Sequence, residues 1–135
     1  MNALEEALYT KLTGCDSLIA KLASDTAIYN LLIPQGQALP AVVFSYHAGG
    51  EENLTPTRSK NYVYLIKAIS PASLKEAGEI DDLLTTCLHN QTLSVSGWGN
   101  FWLAREGDVR YVEVGEGGEL YYHAGGFFRI RLAEE

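Results

Sequence analysis

Glycine is concentrated in the carboxy-terminal third of the chain, where it alternates with residues that favour β-strands. Eight of the thirteen glycines lie between Gly97 and Gly126, and aromatic and β-branched residues fill the intervals. Apolar segments interrupted in this way are typical of β-hairpins. The pattern predicts four strands, Thr92 to Val95, Phe101 to Glu106, Val109 to Val114 and Leu120 to Leu132, with turns at Gly107-Asp108 and Gly115 to Gly118.

The amino-terminal segment has the spacing of an amphipathic helix. Three leucines recur at i, i+4 and share one face: Leu4, Leu8 and Leu12. We expect Asn2 to cap this helix with Glu5 at its third position, and Gly14 to end it. A shorter helix is expected to follow from Asp16 or Ser17.

Two further strands are expected in the middle of the chain. Ala41 to His47 alternates between two faces, and Arg58 to Ile69 is a nearly continuous apolar run, as in a central strand. The intervening segment, Gly49 to Ser59, is predicted to be a polar loop of about eleven residues. This is close to the length at which loops are usually functional.

A third helix is predicted after the second of these strands. Ser70 is expected to cap it, Pro71 to occupy its first position, and His89-Asn90 to end it. Its acidic residues are expected to form a solvated face: Glu76, Glu79, Asp81 and Asp82. The order of elements predicts an α+β fold in one domain, residues 1–135, with an antiparallel-rich sheet and two or three helices packed on one side.

Composition and charge exclude several classes of protein. The formal net charge is −7 and the ten basic residues are scattered, which argues against a nucleic-acid-binding surface. No segment reaches the roughly 18 apolar residues of a membrane span, and the acidic amino terminus does not resemble a signal peptide. We therefore expect a cytoplasmic site of synthesis, and reduced, buried thiols at Cys15 and Cys87 rather than a disulfide.

The five residues Tyr-His-Ala-Gly-Gly occur twice, at Tyr46 to Gly50 and at Tyr122 to Gly126. A metal site needs three or four converging ligands, and His47 and His123 supply two at most. Strand alternation places His123 on the polar face with Arg129 and Arg131, unless a bulge at the glycine pair reverses it. We interpret both copies as strands that end or bulge in the same way, and expect no cofactor.

Two parts of the chain resemble a known family. The first is Ala27-Ile28-Tyr29, Pro34-Gln35-Gly36 and Leu39-Pro40-Ala41-Val42-Val43-Phe44, and the second is the run from Tyr121 to Arg131. In this order the chain resembles the small tail-completion, or tail-terminator-like, proteins of long-tailed bacteriophages and prophages. The glycine-rich Gly97 to Gly118 region, with Trp98 and Trp102, departs from the family pattern.

The resemblance implies a structural role. Proteins of this family close a completed tail tube as a ring, often a hexamer, and offer a docking surface to the head connector. The expected partners are therefore other copies of the chain, the tail-tube protein and the connector, with no membrane and no specific nucleic acid. The expected location is the virion tail, after synthesis in the bacterial host.

The loop at Gly49 to Ser59 is the expected contact between ring subunits. Its acidic residues Glu51 and Glu52 and its basic neighbours Arg58 and Lys60 would allow pairing between neighbouring copies. A neck or head–tail joining protein is an alternative of the same class. A small metal-dependent or hydrolytic enzyme using His47 and His123, or a host binding module with aromatic residues at Trp98 and Trp102, are alternatives of other classes.

Overall fold

The computed structural model describes residues 1–53 and 56–135. Its elements are, in order, α1 (Asn2–Thr13), α2 (Asp16–Ile19), β1 (Ile28–Asn30), β2 (Ala41–Glu51), β3 (Ser59–Ser70), α3 (Leu74–Leu88), β4 (Ser94–Val95), β5 (Trp98–Val114) and β6 (Leu120–Glu134). The strands form one six-stranded sheet in the order β1-β2-β3-β6-β5-β4. Among the strands of the described residues only β1 and β2 are parallel, so the predicted α+β fold with an antiparallel-rich sheet is confirmed.

The core lies between the helices and one face of this sheet. Alternate residues of β3 are buried, and they pack with side chains of the same face of β6 and with the leucine stripe of α1. Members of this cluster include Leu4, Leu8, Leu12, Tyr62, Tyr64, Ile66, Ile80, Leu84, Phe128 and Ile130. Tyr64, fully buried, donates its hydroxyl proton to Glu5 over 2.8 Å, which joins α1 to the centre of the sheet.

The helix ends differ in detail from the sequence predictions. Met1, not Asn2, occupies the N-cap of α1, and Glu5 instead accepts hydrogen bonds from the sheet. Ser73 caps α3 by accepting from the Glu76 amide over 3.0 Å, whereas Ser70 accepts from the Ala72 amide in the turn before it. The predicted helix ends at Gly14 and at His89-Asn90 are confirmed.

The segment predicted as two strands joined by a Gly107-Asp108 turn is one continuous strand, β5. The prediction was wrong because a glycine beside a polar residue marks a bulge as well as it marks a turn. Here the register with β6 shifts between Arg105 and Gly107, and pairing then resumes to Val114. The turn predicted at Gly115 to Gly118 is confirmed by the Gly115 amide, which donates to the Glu119 carbonyl.

Strand β2 also continues further than predicted, to Glu51. Gly49 and Gly50 pair with Tyr62 and Asn61 of β3, so the predicted Gly49 to Ser59 loop is reduced to residues 52–58. Positions 54 and 55 of that loop lie outside the described residues.

The two cysteines form a disulfide, so the expectation of reduced thiols was wrong. Cys15 immediately precedes α2 and Cys87 lies in the last turn of α3, and the packing of these helices brings their Cα atoms to 6.3 Å. That separation is within the usual range for a disulfide. A sequence separation of 72 residues gave no indication of this proximity.

The two Tyr-His-Ala-Gly-Gly copies differ in structure, contrary to the expectation that they would end or bulge alike. The first copy bulges in β2 between Tyr46 and Ala48. The second lies in the interior of β6 and pairs with β3 without interruption, so the predicted facing of His123 with Arg129 is retained.

This difference predicts unequal effects of alanine at the last glycine of each copy. A Cβ added at Gly126 would meet the Gly107 carbonyl oxygen and the Arg105 side chain, whereas one added at Gly50 meets nothing within 4 Å. We expect Gly126→Ala to lower the free energy of unfolding by about 1–3 kcal/mol through overpacking. Gly50→Ala, the matched control, should change it by less than about 0.5 kcal/mol. Urea unfolding of both variants checks this, and equal effects would contradict it.

Candidate functional site

The face of the sheet opposite the helices is here called the open face. Alternate side chains of β3 and β6 that point to it are only half-buried, among them Leu65, Lys67, Phe127 and Arg129. The helices pack on the other face, so these side chains remain available to a partner. Two features stand out: a charged cluster near the ends of β2 and β6, and a cleft on the open face at the opposite end of the sheet.

The charged cluster consists of Glu51, Glu52, Arg58 and Lys60, the four residues predicted as a subunit contact. Arg58 Nη2 donates to Glu51 Oε1 over 2.9 Å, and Lys60 Nζ donates to the same carboxylate. Glu52 Oε1 accepts from Arg131 Nη2 of β6 over 3.0 Å. The structure therefore joins Glu51, Arg58 and Lys60 in one ion-paired group, whereas Glu52 pairs separately with Arg131. The register places Lys60 opposite Leu132, on the helix side of the sheet, and Asn61 opposite Arg131, on the open face. The role of the four predicted residues between subunits stays a prediction.

The Glu51 carboxylate has a strongly lowered pKa. Hydrogen bonds from Arg58 and Lys60 favour its charged form and lower its pKa from 4.5 to about 2. Because the folded-state pKa lies below the unfolded value, this pairing stabilises the fold above about pH 4.5 and is lost as the pH falls towards 2.

A carboxyl-detected NMR titration checks this lowered value. We expect the Glu51 midpoint near pH 2 in the native chain, and a higher midpoint in Arg58→Met, which removes the leading hydrogen-bond donor. A native midpoint near 4.5 would show that the cluster is not formed in solution.

The cleft, here called the end cleft, has a volume of about 490 Å³. One wall is the segment 31–39 that follows β1, and the other is the end of the β5–β6 hairpin, with Tyr111, Glu113 and Tyr121. Between the walls lie Lys67 and Ile69 of β3 and His123 of β6. Sheet pairing explains this arrangement, since Ile69, His123 and Tyr111 are direct neighbours across three strands.

His123 is the most buried polar side chain of the end cleft, at 3% exposure. Its Nε2 atom lies 2.9 Å from Glu113 Oε1, and its ring stacks on Tyr111 with the centroids 4.3 Å apart. Lys67 Nζ donates to the Tyr111 hydroxyl over 2.6 Å. Burial lowers the pKa of His123 although Glu113 opposes this effect, so the neutral ring predominates at neutral pH.

The neutral ring leaves one hydrogen-bonding atom without a partner. Because Nε2 faces a carboxylate, its proton belongs on that nitrogen and Nδ1 is an acceptor. No described atom donates to the buried His123 Nδ1. A donor supplied from outside the chain would satisfy it.

The second repeated histidine lies elsewhere. His47 is exposed at the β2 bulge, and its ring centroid lies 4.6 Å from that of Phe127. Within residues 1–53 and 56–135, no three His, Cys, Asp or Glu side chains are grouped so that they could hold a metal ion. None of the helices in the same residues is both long and apolar enough to cross a membrane.

The sequence did not lead us to expect Lys67, Tyr111 and Glu113 as neighbours of His123. A signal was present, because pairing outward from the Gly115 to Gly118 turn places Tyr111 opposite His123. Lys67 could not be placed in the same way, since the pairing of β3 with β6 spans a long connection that contains α3.

Comparison with solved structures identifies a protein of the same architecture. A chain in a structure described as "Virion of native gene transfer agent (GTA) particle" superposes with a TM-score of 0.80 at 19% sequence identity. The superposition covers 98% of this chain and 96% of that chain. The two chains share one fold. No protein-family model matches this sequence, and no curated protein is similar to it.

Proposed function

We propose that this protein is a structural component of a phage or prophage virion. Its specific role in this proposal is tail completion: copies of the chain form a ring, expected to be a hexamer, at the end of the tail tube. That ring then docks to the head connector. Neither step requires a catalytic residue or a cofactor.

The observation that carries the proposal is the end-to-end match to a chain of a virion. Both chains are covered almost completely, so the likeness extends to the whole architecture rather than to a common substructure. The sequence resemblance to tail-completion proteins independently points to the same kind of particle. Fold alone does not determine function, and it is the agreement of these two likenesses that supports a virion role.

The surfaces of the chain suit repeated association. In the charged cluster the side chains of Arg58 and Glu51 are about half exposed. Their charged groups are therefore accessible to a charge of opposite sign on a neighbouring copy. The opposite signs allow an acidic side chain of one copy to pair with a basic side chain of the next, as the proposed ring contact requires.

Two alternatives make different predictions. A neck or head–tail joining protein would remain with heads after tails are detached, whereas a tail-completion protein would remain with tails. Immunogold labelling of separated heads and tails distinguishes the two, and label on heads alone would refute the tail role. An enzyme using His123 and His47 would show stoichiometric metal that is lost in His47→Ala.

The proposed subunit contact is tested by deleting residues 52–57. Glu51 pairs with Lys60, so the deletion leaves Arg58 and Ser59 as a two-residue hairpin connection, a common length. We expect a folded monomer with weakened assembly, measured by circular dichroism and light scattering.

A charge reversal provides the matched comparison for that deletion. Arg58→Glu should weaken assembly as the deletion does, because it places like charges beside Glu51. Lys21→Glu makes the same charge change at an exposed position outside the cluster and should leave assembly unaltered. An unchanged oligomer in both the deletion and Arg58→Glu would exclude this contact.

A further inference from the structure

The turn between β5 and β6 forms an exposed tip, defined here as Val114 to Leu120. The last pair between β3 and β6 joins Ser70 to Tyr122, so the tip extends beyond the neighbouring strand. Val114 is 67% exposed, and Val112 and Leu120 lie exposed on the same side of the hairpin. Such an apolar strip on a projecting hairpin is a feature of contact surfaces rather than of an isolated subunit.

The tip and the end cleft carry complementary polar groups. Within the described residues, the Gly115 and Gly118 amides donate inside the turn, and no acceptor is found for the amides of Glu116 and Gly117. His123 Nδ1 in the end cleft is a buried acceptor without a donor. The carboxylate of Glu116 is opposite in charge to the Lys67 ammonium group in the same cleft.

We infer that the end cleft of one copy receives the hairpin tip of a second copy. A tip amide donates to His123 Nδ1, the Glu116 carboxylate lies near Lys67, and Val114 packs on the apolar wall that contains Leu32. This inference rests on the proposed self-association and specifies one surface pair for it. Tip and cleft are different regions of the chain, so the contact is heterologous and repeats from copy to copy.

Two exposed positions allow the tip and the cleft to be disabled separately. Leu32, 72% exposed on the cleft wall, and Val114 at the tip can each take a charge without entering the core. We expect Leu32→Glu and Val114→Glu each to remain monomeric under conditions in which the native chain assembles. Tyr9→Glu, which changes an exposed apolar residue of α1 in the same way, should assemble normally.

Mixing the two variants gives the decisive result. Leu32→Glu retains an intact tip and Val114→Glu an intact cleft, so an equimolar mixture should form a one-to-one dimer that grows no further by native mass spectrometry. In the native assembly, the ¹⁵N resonance of His123 Nδ1 should shift as it gains a donor.

Three results would overturn the inference. If either variant alone assembles like the native chain, the tip–cleft contact is wrong while the proposed function stands. If both are monomeric and the mixture forms no dimer, the tip does not dock in the cleft. If the native chain itself does not assemble, the proposed function fails together with this inference.

Discussion

Reducing the disulfide between Cys15 and Cys87 is expected to lower the free energy of unfolding by about 4 kcal/mol. The bond closes a loop with a sequence separation of 72 residues, and the chain-entropy model gives roughly this value for a loop of that length. It also fixes the α2 segment, which has only four helical residues of its own, against the carboxyl end of α3. The effect is therefore expected to be among the largest of any local change.

Urea unfolding with and without a reductant measures this effect. The double variant Cys15→Ser/Cys87→Ser should unfold at the same urea concentration as the reduced native chain, and reductant should not affect it. Two free thiols in the unreduced protein, or an unfolding midpoint that reductant leaves unchanged, would contradict the assignment.

Replacing Arg105 is expected to lower the free energy of unfolding by about 3 kcal/mol, because removing one partner of a buried ion pair leaves the other charge unpaired. Arg105 Nη2 donates to Asp81 Oδ2 of α3 over 2.9 Å, and both side chains are only 13% exposed. The same nitrogen donates to the Gly125 carbonyl over 2.7 Å and to Asp108 over 2.9 Å. Arg105 thus joins the last helix, the β5 bulge and β6.

The variant Arg105→Met keeps most of the side-chain volume and removes the charge. If the cost arises from an unpaired Asp81, then Arg105→Met/Asp81→Asn should be less destabilised than the sum of its single variants. Thermal unfolding of all four proteins measures this coupling. If the free energy of unfolding of either single variant lies within about 0.5 kcal/mol of the native value, the ion pair contributes little to stability.

Arg105 also explains why the predicted Gly107-Asp108 turn is a bulge. Local sequence favours a turn there, because glycine and aspartate are both common turn residues. The ion pair with Asp81 holds the chain along β6 instead, and Asp108 then pairs back to Arg105 across the bulge. Asp81 was expected in the solvated acidic face of the helix, so this long-range contact could not be read from the sequence.

The structural features that were predicted correctly depend on the periodic spacing of residues within one helix or strand. The leucine stripe of α1 and the facing of His123 with Arg129 along β6 each follow from spacing within one element, and both appear in the structure as expected. The disulfide and the end cleft depend on contacts between elements that are far apart in the chain. Periodicity carries no information on such contacts, and the cleft is therefore known only from the fold.

The same distinction applies to the charged cluster. Glu51, Arg58 and Lys60 are near one another in sequence, and the β2–β3 hairpin brings them together. Arg131, which pairs with Glu52, is contributed by β6 and was not predicted to belong to the cluster. This pairing places Glu52 and Arg131 on the open face, whereas Lys60 lies on the helix side of the sheet.

Whether the protein forms a ring is tested by the mass and symmetry of its assembly. Native mass spectrometry and electron microscopy of the purified native chain should show a closed ring with one fixed number of copies, expected to be six. A chain that remains monomeric at every accessible concentration, with and without tail tubes added, would refute the proposed ring.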